Sequence, residues 1–281
     1  MNLIKQLIDL VRTGTSASHF YRNMNSSLKR LNGEYAMLHY PMKGEGNQTF
    51  IQRQINLTDF CMELLGKVRG LDLLEVGCGN GVQANYIYDT YQPAIMTGID
   101  LDKGNIDIAR RLIKPEKNGR LQFMVDDAQV LKQIASESMD VIINIESAFH
   151  YPDKNAFLDQ VERTLKPGGK FLIADLLTTK RTKGVLVRKL WKRKMVLHHW
   201  NQERYNEFFL KSSLSLHEKI DITEQVRQGF KGYGKWIDDA RQAGLIREFF
   251  FRVFYTINAE WVKFLFKYRR NYLVFVGIKP A

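Results

Sequence analysis

Two groups of residues in this chain have types and spacings suited to chemistry. The first is Gly77-x-Gly79-x-Gly81, with Asp100 about twenty residues further on. The second is Glu146-Ser-x-x-His150, a carboxylate and an imidazole four positions apart. Closely spaced glycines leave backbone N–H groups uncovered, because no Cβ holds a ligand off the chain, and some of these positions demand positive φ. At the start of a helix such N–H groups receive a polar ligand. An ionised aspartate only accepts hydrogen bonds, so Asp100 can take both hydroxyls of a ribose. The first group therefore predicts a site for a nucleoside-containing cofactor. Val82 stands where the dinucleotide fingerprint G-x-G-x-x-G wants its last glycine, which argues against NAD or FAD. In the second group a histidine with a pKa near ambient pH can take a proton from a reacting group. Glu146 can take that proton instead, or orient the imidazole. A histidine at a strand end also serves as a satisfied structural group, and the sequence leaves both readings open.

Short apolar runs and amphipathic stretches must carry these residues. Residues 71–76 read as a strand buried in a parallel sheet, and 82–91 as the helix after the glycine loop. A second strand over 94–99 ends at Asp100, and a helix follows over 103–113. A third strand over 121–125 runs into Asp126-Asp127-Ala128, where aspartate also suits a helix N-cap. A fourth over 139–143 runs into Asn144 and the Glu146–His150 segment. Leu165-Lys-Pro-Gly-Gly169 turns the chain into a fifth strand over 171–176. Ligands of open α/β sheets sit beyond the carboxyl ends of the strands, near the switch point, and both chemical groups fall there.

Glu75-Val-Gly-Cys-Gly-Asn-Gly81 resembles the first motif of class I S-adenosylmethionine-dependent methyltransferases. The resemblance continues in order and spacing through Gly98-Ile-Asp100, Asp126-Asp-Ala128, Asp140-Val-Ile-Ile-Asn144 and Leu165-Lys-Pro-Gly-Gly169, over residues 55–178. It implies an α/β fold with a Rossmann-like, seven-stranded, mostly parallel sheet and helices on both faces. It also implies an N-terminal helical lid (1–54), a cofactor-binding core (55–178), a helical cap inserted after the fifth strand (179–234) and a C-terminal helix with the last strands (235–281). The implied cofactor is S-adenosyl-L-methionine, leaving as S-adenosyl-L-homocysteine, with no metal. Its implied contacts are Glu75, Gly77, Gly79, Asp100, Leu101, Asp126, Asp127, Ala128 and Asn144, with Asp127 on the adenine amino group and the Ala128 N–H on the ring. Tyr40 is the lid candidate, in His39-Tyr40-Pro41-Met42 where relatives carry a Gly-Tyr-Trp-like sequence.

The Asn/Asp-Pro-Pro-Tyr/Phe motif of enzymes acting on base or amide nitrogen is missing after the fourth strand. Glu146-Ser-x-x-His150 instead resembles the pattern of enzymes that methylate natural products, fatty acyl compounds, quinones and sterols. The implied function is methyl transfer to a hydrophobic small molecule, by O-methylation of a natural product, polyketide or fatty acyl acceptor. C-methylation of an isoprenoid or sterol is the alternative, ahead of N- or RNA methylation. His150 and Glu146 are the catalytic candidates.

Composition sets the outer limits. With 281 residues, 44% hydrophobic and 12% aromatic, the chain is globular and long enough to bury about three quarters of its unfolded surface. Two cysteines, Cys61 and Cys78, predict no disulfide framework. No apolar run reaches the ~18–20 residues of a membrane span and no signal peptide is evident, so a cytoplasmic protein is expected. The net charge of +12 points to an anionic partner. The run from Lys180 to Lys194 holds eight Lys or Arg and no acid, interleaved with Val185, Leu186, Val187, Leu190 and Trp191. It reads as a basic amphipathic helix for peripheral contact with a membrane or an acyl carrier, or as a substrate-covering cap. Nucleic acid is not expected, because the cations cluster in one insertion; oligomeric state is left open. Residues 1–11 read as an amphipathic helix, 235–245 as the last helix, and 247–256 and 271–279 as the terminal strand pair, one of them antiparallel.

Overall fold

The computed structural model of the chain describes residues 17–179, 197–231, 242, 262 and 264–281. The expected features over 1–11, 180–194, 235–245 and 247–256 lie almost wholly outside them.

Helix α1 (Ala17–Asn32) precedes α2 (Phe50–Leu65), which opens on a capping box. The Thr49 side chain accepts from the Gln52 N–H, and the Gln52 side chain accepts from the Thr49 N–H. The sheet is then laid down as β1 (Asp72–Val76), α3 (Val82–Tyr91), β2 (Ile95–Asp100), α4 (Lys103–Arg111) and β3 (Leu121–Val125). It continues with β4 (Met139–Ile145), α5 (Lys154–Thr164), β5 (Leu165–Thr178), α6 (Gln202–Lys211), β6 (Ser215–Asp221), α7 (Thr223–Gly229) and β7 (Arg270–Ile278). The seven strands lie in the order β3-β2-β1-β4-β5-β7-β6. The first five pair in parallel, and β7 runs antiparallel to both β5 and β6. The seven strands and their mostly parallel pairing are those expected from the sequence, but the outer partner of β7 is β6, where the segment 247–256 was expected.

Alternation along the central strands explains why both faces must be covered. Leu73, Ile143 and Leu172 point to one face with Leu57, Met62 and Ile87 of α2 and α3. Leu74, Ile142 and Phe171 point to the other, with Phe157 and Val161 of α5 and Tyr205 of α6.

Two boundaries differ from expectation. Pairing of β5 begins at Leu165 rather than 171, and the Lys-Pro-Gly-Gly turn is a bulge between the pairs Met139↔Leu165 and Val141↔Lys170. Gly168, at φ +77°, is the residue that lets the chain loop out and return. Segment 179–234 is not a purely helical cap, since β6 within it is an edge strand of the core sheet. No helix among the described residues is long and apolar enough to cross a membrane.

Candidate active site

The order β2-β1-β4 reverses the chain direction across the sheet between β1 and β4, and a cleft of about 600 Å³ opens there beyond the strand ends. Its floor is the turn after β1, where Gly77, Gly79 and Gly81 all have positive φ (76°, 54° and 75°). The turn is pinned to β2: the N–H groups of Gly77 and Cys78 both donate to the Ile99 carbonyl at 2.8 Å. A Cβ on Gly77 would run into the Ser147 hydroxyl, and one on Gly79 would stand 2.8 Å from Leu38 Cδ1. The loop backbone reaches the cleft only because these residues are glycine.

Asp100 ends β2 at the lip of the cleft. Its Oδ2 accepts from the Gly79 N–H at 2.9 Å and its Oδ1 from the Asp102 N–H at 2.8 Å. Oδ2 keeps a lone pair for a further donor, and the second lone pair of Oδ1 meets only a long 3.5 Å contact from Asn105 Nδ2. Leu101 follows with 71% of its surface exposed, an apolar side chain on the rim where a flat ring can rest. Asp127 and Ala128 line the far wall. No helix follows them; Asp127 accepts from the Gln129 N–H at 2.9 Å in a turn.

Of the residues singled out in the sequence, Gly77, Gly79, Asp100, Leu101, Asp126, Asp127, Ala128, Glu146 and His150 border this one cleft. Asp126 does so with a carboxylate already engaged, accepting from the N–H groups of Asp127, Lys132 and Gln133, and it closes the loop. Three others do not border it. Tyr40, the lid candidate, packs its ring edge-on against Phe230 and Phe266 instead, at 5.4 and 5.6 Å. Asn144 is fully buried and donates to the Val76 carbonyl and to the hydroxyls of Ser147 and Tyr151, bracing the loop after β4 against β1. Glu75 is buried on β1, and its Oε2 has no hydrogen-bond partner among the described residues.

After β4 the chain enters a short 3-10 turn, Ala148–His150. Glu146 precedes it at φ +53°, a left-handed conformation that a non-glycine residue adopts only where its surroundings enforce it. Its N–H donates to the Ala174 carbonyl at 2.9 Å, and the Tyr40 N–H donates to its Oε1 at 2.7 Å. A strap from the other side holds the turn. His198 N–H donates to the Phe149 carbonyl at 2.7 Å, buried Lys154 donates to the His198 carbonyl at 2.6 Å, and the His199 ring stacks on Phe149.

His150 thus faces the cleft, with its Nε2 2.7 Å from the hydroxyl of Tyr21 on α1. Burial and the nearby Glu146 carboxyl hold the Tyr21 phenol well above its usual pKa, so it stays protonated. Sequence reading missed Tyr21, and no local pattern could have found it, since 129 residues separate the pair. It also missed Met37 and Leu38, which line the cleft where Tyr40 was expected. His39, which also borders the cleft, has its ring 3.2 Å from the Thr58 hydroxyl, and Tyr40 packs into the aromatic pocket.

Burial pushes the carboxyls of Glu75 and Glu146 up to about 8, against an ordinary value of 4.5; for Glu146 the Tyr40 N–H opposes the rise. In the folded chain both keep a proton that the unfolded chain releases. Their contribution to stability is full below pH 4.5 and is lost as pH rises towards about 8. The loss is on the order of 5 kcal/mol per group. Glu75→Gln, which cannot ionise, should therefore melt with a flatter pH dependence than the wild type between about pH 5 and 8. Parallel melting curves for the two proteins in calorimetry would contradict the assignment.

These features fit the S-adenosylmethionine implied by the sequence resemblance. A Cβ-free glycine cradle and an acceptor-only carboxylate at the end of β2 both suit a nucleoside cofactor. Comparison with known proteins agrees. Residues 74–173 match the family described as methyltransferase domain. Over 108 residues the chain is 41% identical to a fatty-acid O-methyltransferase of Mycolicibacterium smegmatis, the matched segment spanning 38% of each chain. It is 40% identical over 107 residues, again 38% of each chain, to the phthiotriol/phenolphthiotriol dimycocerosates methyltransferase of Mycobacterium tuberculosis. The fold superposes on phosphoethanolamine N-methyltransferase 2 of Haemonchus contortus with a TM-score of 0.77 at 18% identity, covering 97% of this chain and 59% of that one.

Proposed function

We propose, from the match of residues 74–173 to the methyltransferase domain family, that this chain is an S-adenosylmethionine-dependent methyltransferase acting on a hydroxyl oxygen of a hydrophobic small molecule. The observation that carries the reading is the meeting of the glycine cradle, Asp100 and the Tyr21–His150 pair in one cleft. The names of the two curated relatives support lipid-type acceptors, and one of them names O-methylation. They lend nothing to carbon as the acceptor atom.

Bound S-adenosylmethionine supplies a sulfonium-activated methyl group. The chain's own work is then positioning, exclusion of water and removal of one proton. Asp100 takes the ribose hydroxyls, Leu101 and the 127–128 turn hold the base, and the loop amides take the polar amino-acid end. His150 Nε2, in its unprotonated form, accepts the proton of the acceptor hydroxyl. Tyr21 occupies that nitrogen in the structure, so the acceptor hydroxyl displaces the phenol before its proton is taken. Isothermal calorimetry of the purified chain should give saturable one-to-one binding of S-adenosylmethionine and S-adenosylhomocysteine. Absence of binding heat for both would overturn the reading.

The basic run from Lys180 to Lys194 supports a second element: recruitment to an anionic lipid surface or an acidic carrier. Exposed charges are screened over about 8–10 Å at physiological salt. Sedimentation with anionic vesicles should therefore fall as salt rises, and neutral vesicles should capture less protein at any salt. Equal capture by both would leave the run with a covering role only.

A further inference from the structure

One buried polar chain in the molecule has no part in the mechanism above. Asn25 on α1 and Asn80 in the glycine turn are each 2% exposed, and Asn105 on α4 is 4% exposed. Asn80 Nδ2 donates to Asn25 Oδ1 at 2.8 Å and to the Ala36 carbonyl at 2.8 Å. Asn25 Nδ2 donates in turn to Asn105 Oδ1 at 2.9 Å, and Asn105 Nδ2 reaches Asp100 Oδ1 at 3.5 Å. The remaining acceptor of Asn80, Oδ1, takes the Val82 N–H at the start of α3. Three amides from three separate elements therefore satisfy one another and end on the carboxylate assigned to the cofactor.

Each buried amide left without its partner would cost about 1–3 kcal/mol, whereas an intact network is rigid. A small shift of α1 breaks two bonds at once, so the helix is either seated or not, with little stable ground between. Tyr21 lies four residues before Asn25, one turn along the same helix face. The placement of Asn25 consequently sets the placement of the phenol that meets His150.

We propose that Asn25 is a positioning residue that couples the Asp100 site to the seating of α1, and through α1 to the Tyr21–His150 contact. The inference rests on the cofactor reading above, because it takes the ribose as the group that Asp100 receives. Coupling between two sites is reciprocal. A ligand that fixes Asp100 tightens the seat of α1, and a seated α1 strengthens binding at Asp100.

The test is hydrogen exchange together with calorimetry on the full chain, using S-adenosylmethionine as the probe. In the wild type, the cofactor should slow exchange both in the glycine turn and across residues 17–32. Asn25→Ala should bind it about tenfold more weakly, the equivalent of one or two net hydrogen bonds. The variant should keep protection of the turn and lose the cofactor-dependent protection of 17–32. Asn105→Ser, cut at the other end of the chain of amides, should give the same pattern. A merely structural asparagine would lower the melting temperature and leave cofactor-dependent protection of 17–32 intact, and that result would overturn the proposal. If Asn25→Ala does not fold, Asn25→Ser carries the same expectation with a hydroxyl kept in place. Failure of the wild type to bind the cofactor would remove the functional reading itself. Wild-type binding with unaltered variants would remove only the coupling.

Discussion

Replacing His150 with alanine should lower turnover by about 10²–10⁴-fold while leaving the affinity for S-adenosylmethionine unchanged. The expectation follows from where the groups stand. His150 lies on the turn after β4, beyond the switch point, and presents Nε2 to a hydroxyl already 2.7 Å away. The groups assigned to the cofactor lie elsewhere, on the β1 turn, Asp100 and the 127–128 turn. Glu146 is the rival base, with a carboxyl that burial raises to about 8, and the variants separate the two. Its Oε1 is engaged by the Tyr40 N–H, which suits a residue that shapes the loop. Glu146→Gln should then cost much less than His150→Ala in single-turnover assays at pH 7, since the amide keeps an acceptor for Tyr40. Tyr21→Phe should fall between the two. If His150→Ala retained most of its activity while Glu146→Gln lost it, the roles would be reversed.

Asp100→Ala should weaken S-adenosylmethionine binding by roughly 2–3 kcal/mol, about 30- to 150-fold, since hydrogen bonds to charged groups are worth about 1.5–3 kcal/mol. Two contributions combine in that figure. The ribose hydroxyls lose an acceptor-only partner, and the Gly79 and Asp102 N–H groups lose the oxygens that fix the turn. Asp100→Asn separates them, because it keeps one acceptor oxygen without the charge; its loss should be smaller. Calorimetry reads the affinity, and circular dichroism checks that the fold survives. Wild-type affinity in a folded Asp100→Ala protein would move the ribose off β2.

Local pattern made most of the core legible. The strands from β1 to β4 are short apolar runs, and the glycine spacing and Asp100 lie within one strand-turn-helix-strand segment, so neighbouring residues carry the whole signal. β6 was hidden because its sequence, Ser-Leu-His-Glu-Lys-Ile-Asp, is charged and largely exposed, as an edge strand must be to avoid pairing with other chains. Asn144 and Asp126 are ligand contacts only by what the family resemblance implies. The structure spends their hydrogen bonds on holding loops. Tyr21, Asn25 and Leu38 were invisible for a different reason: their roles come from a helix and a loop folding back over the strand ends, and only tertiary contact defines them.

The claim that this cleft moves a methyl group to oxygen is tested most directly with trideuteromethyl-labelled S-adenosylmethionine. The purified chain would be offered a set of long-chain alcohols, phenols and hydroxylated fatty acyl compounds, with the products read by mass spectrometry. The expected result is one trideuterated methyl on an acceptor oxygen, released by ether or ester cleavage, with S-adenosylhomocysteine formed in equal amount and both lost in His150→Ala. A label that survives cleavage because it is bonded to carbon, or bound cofactor left unconsumed with every acceptor, would contradict it.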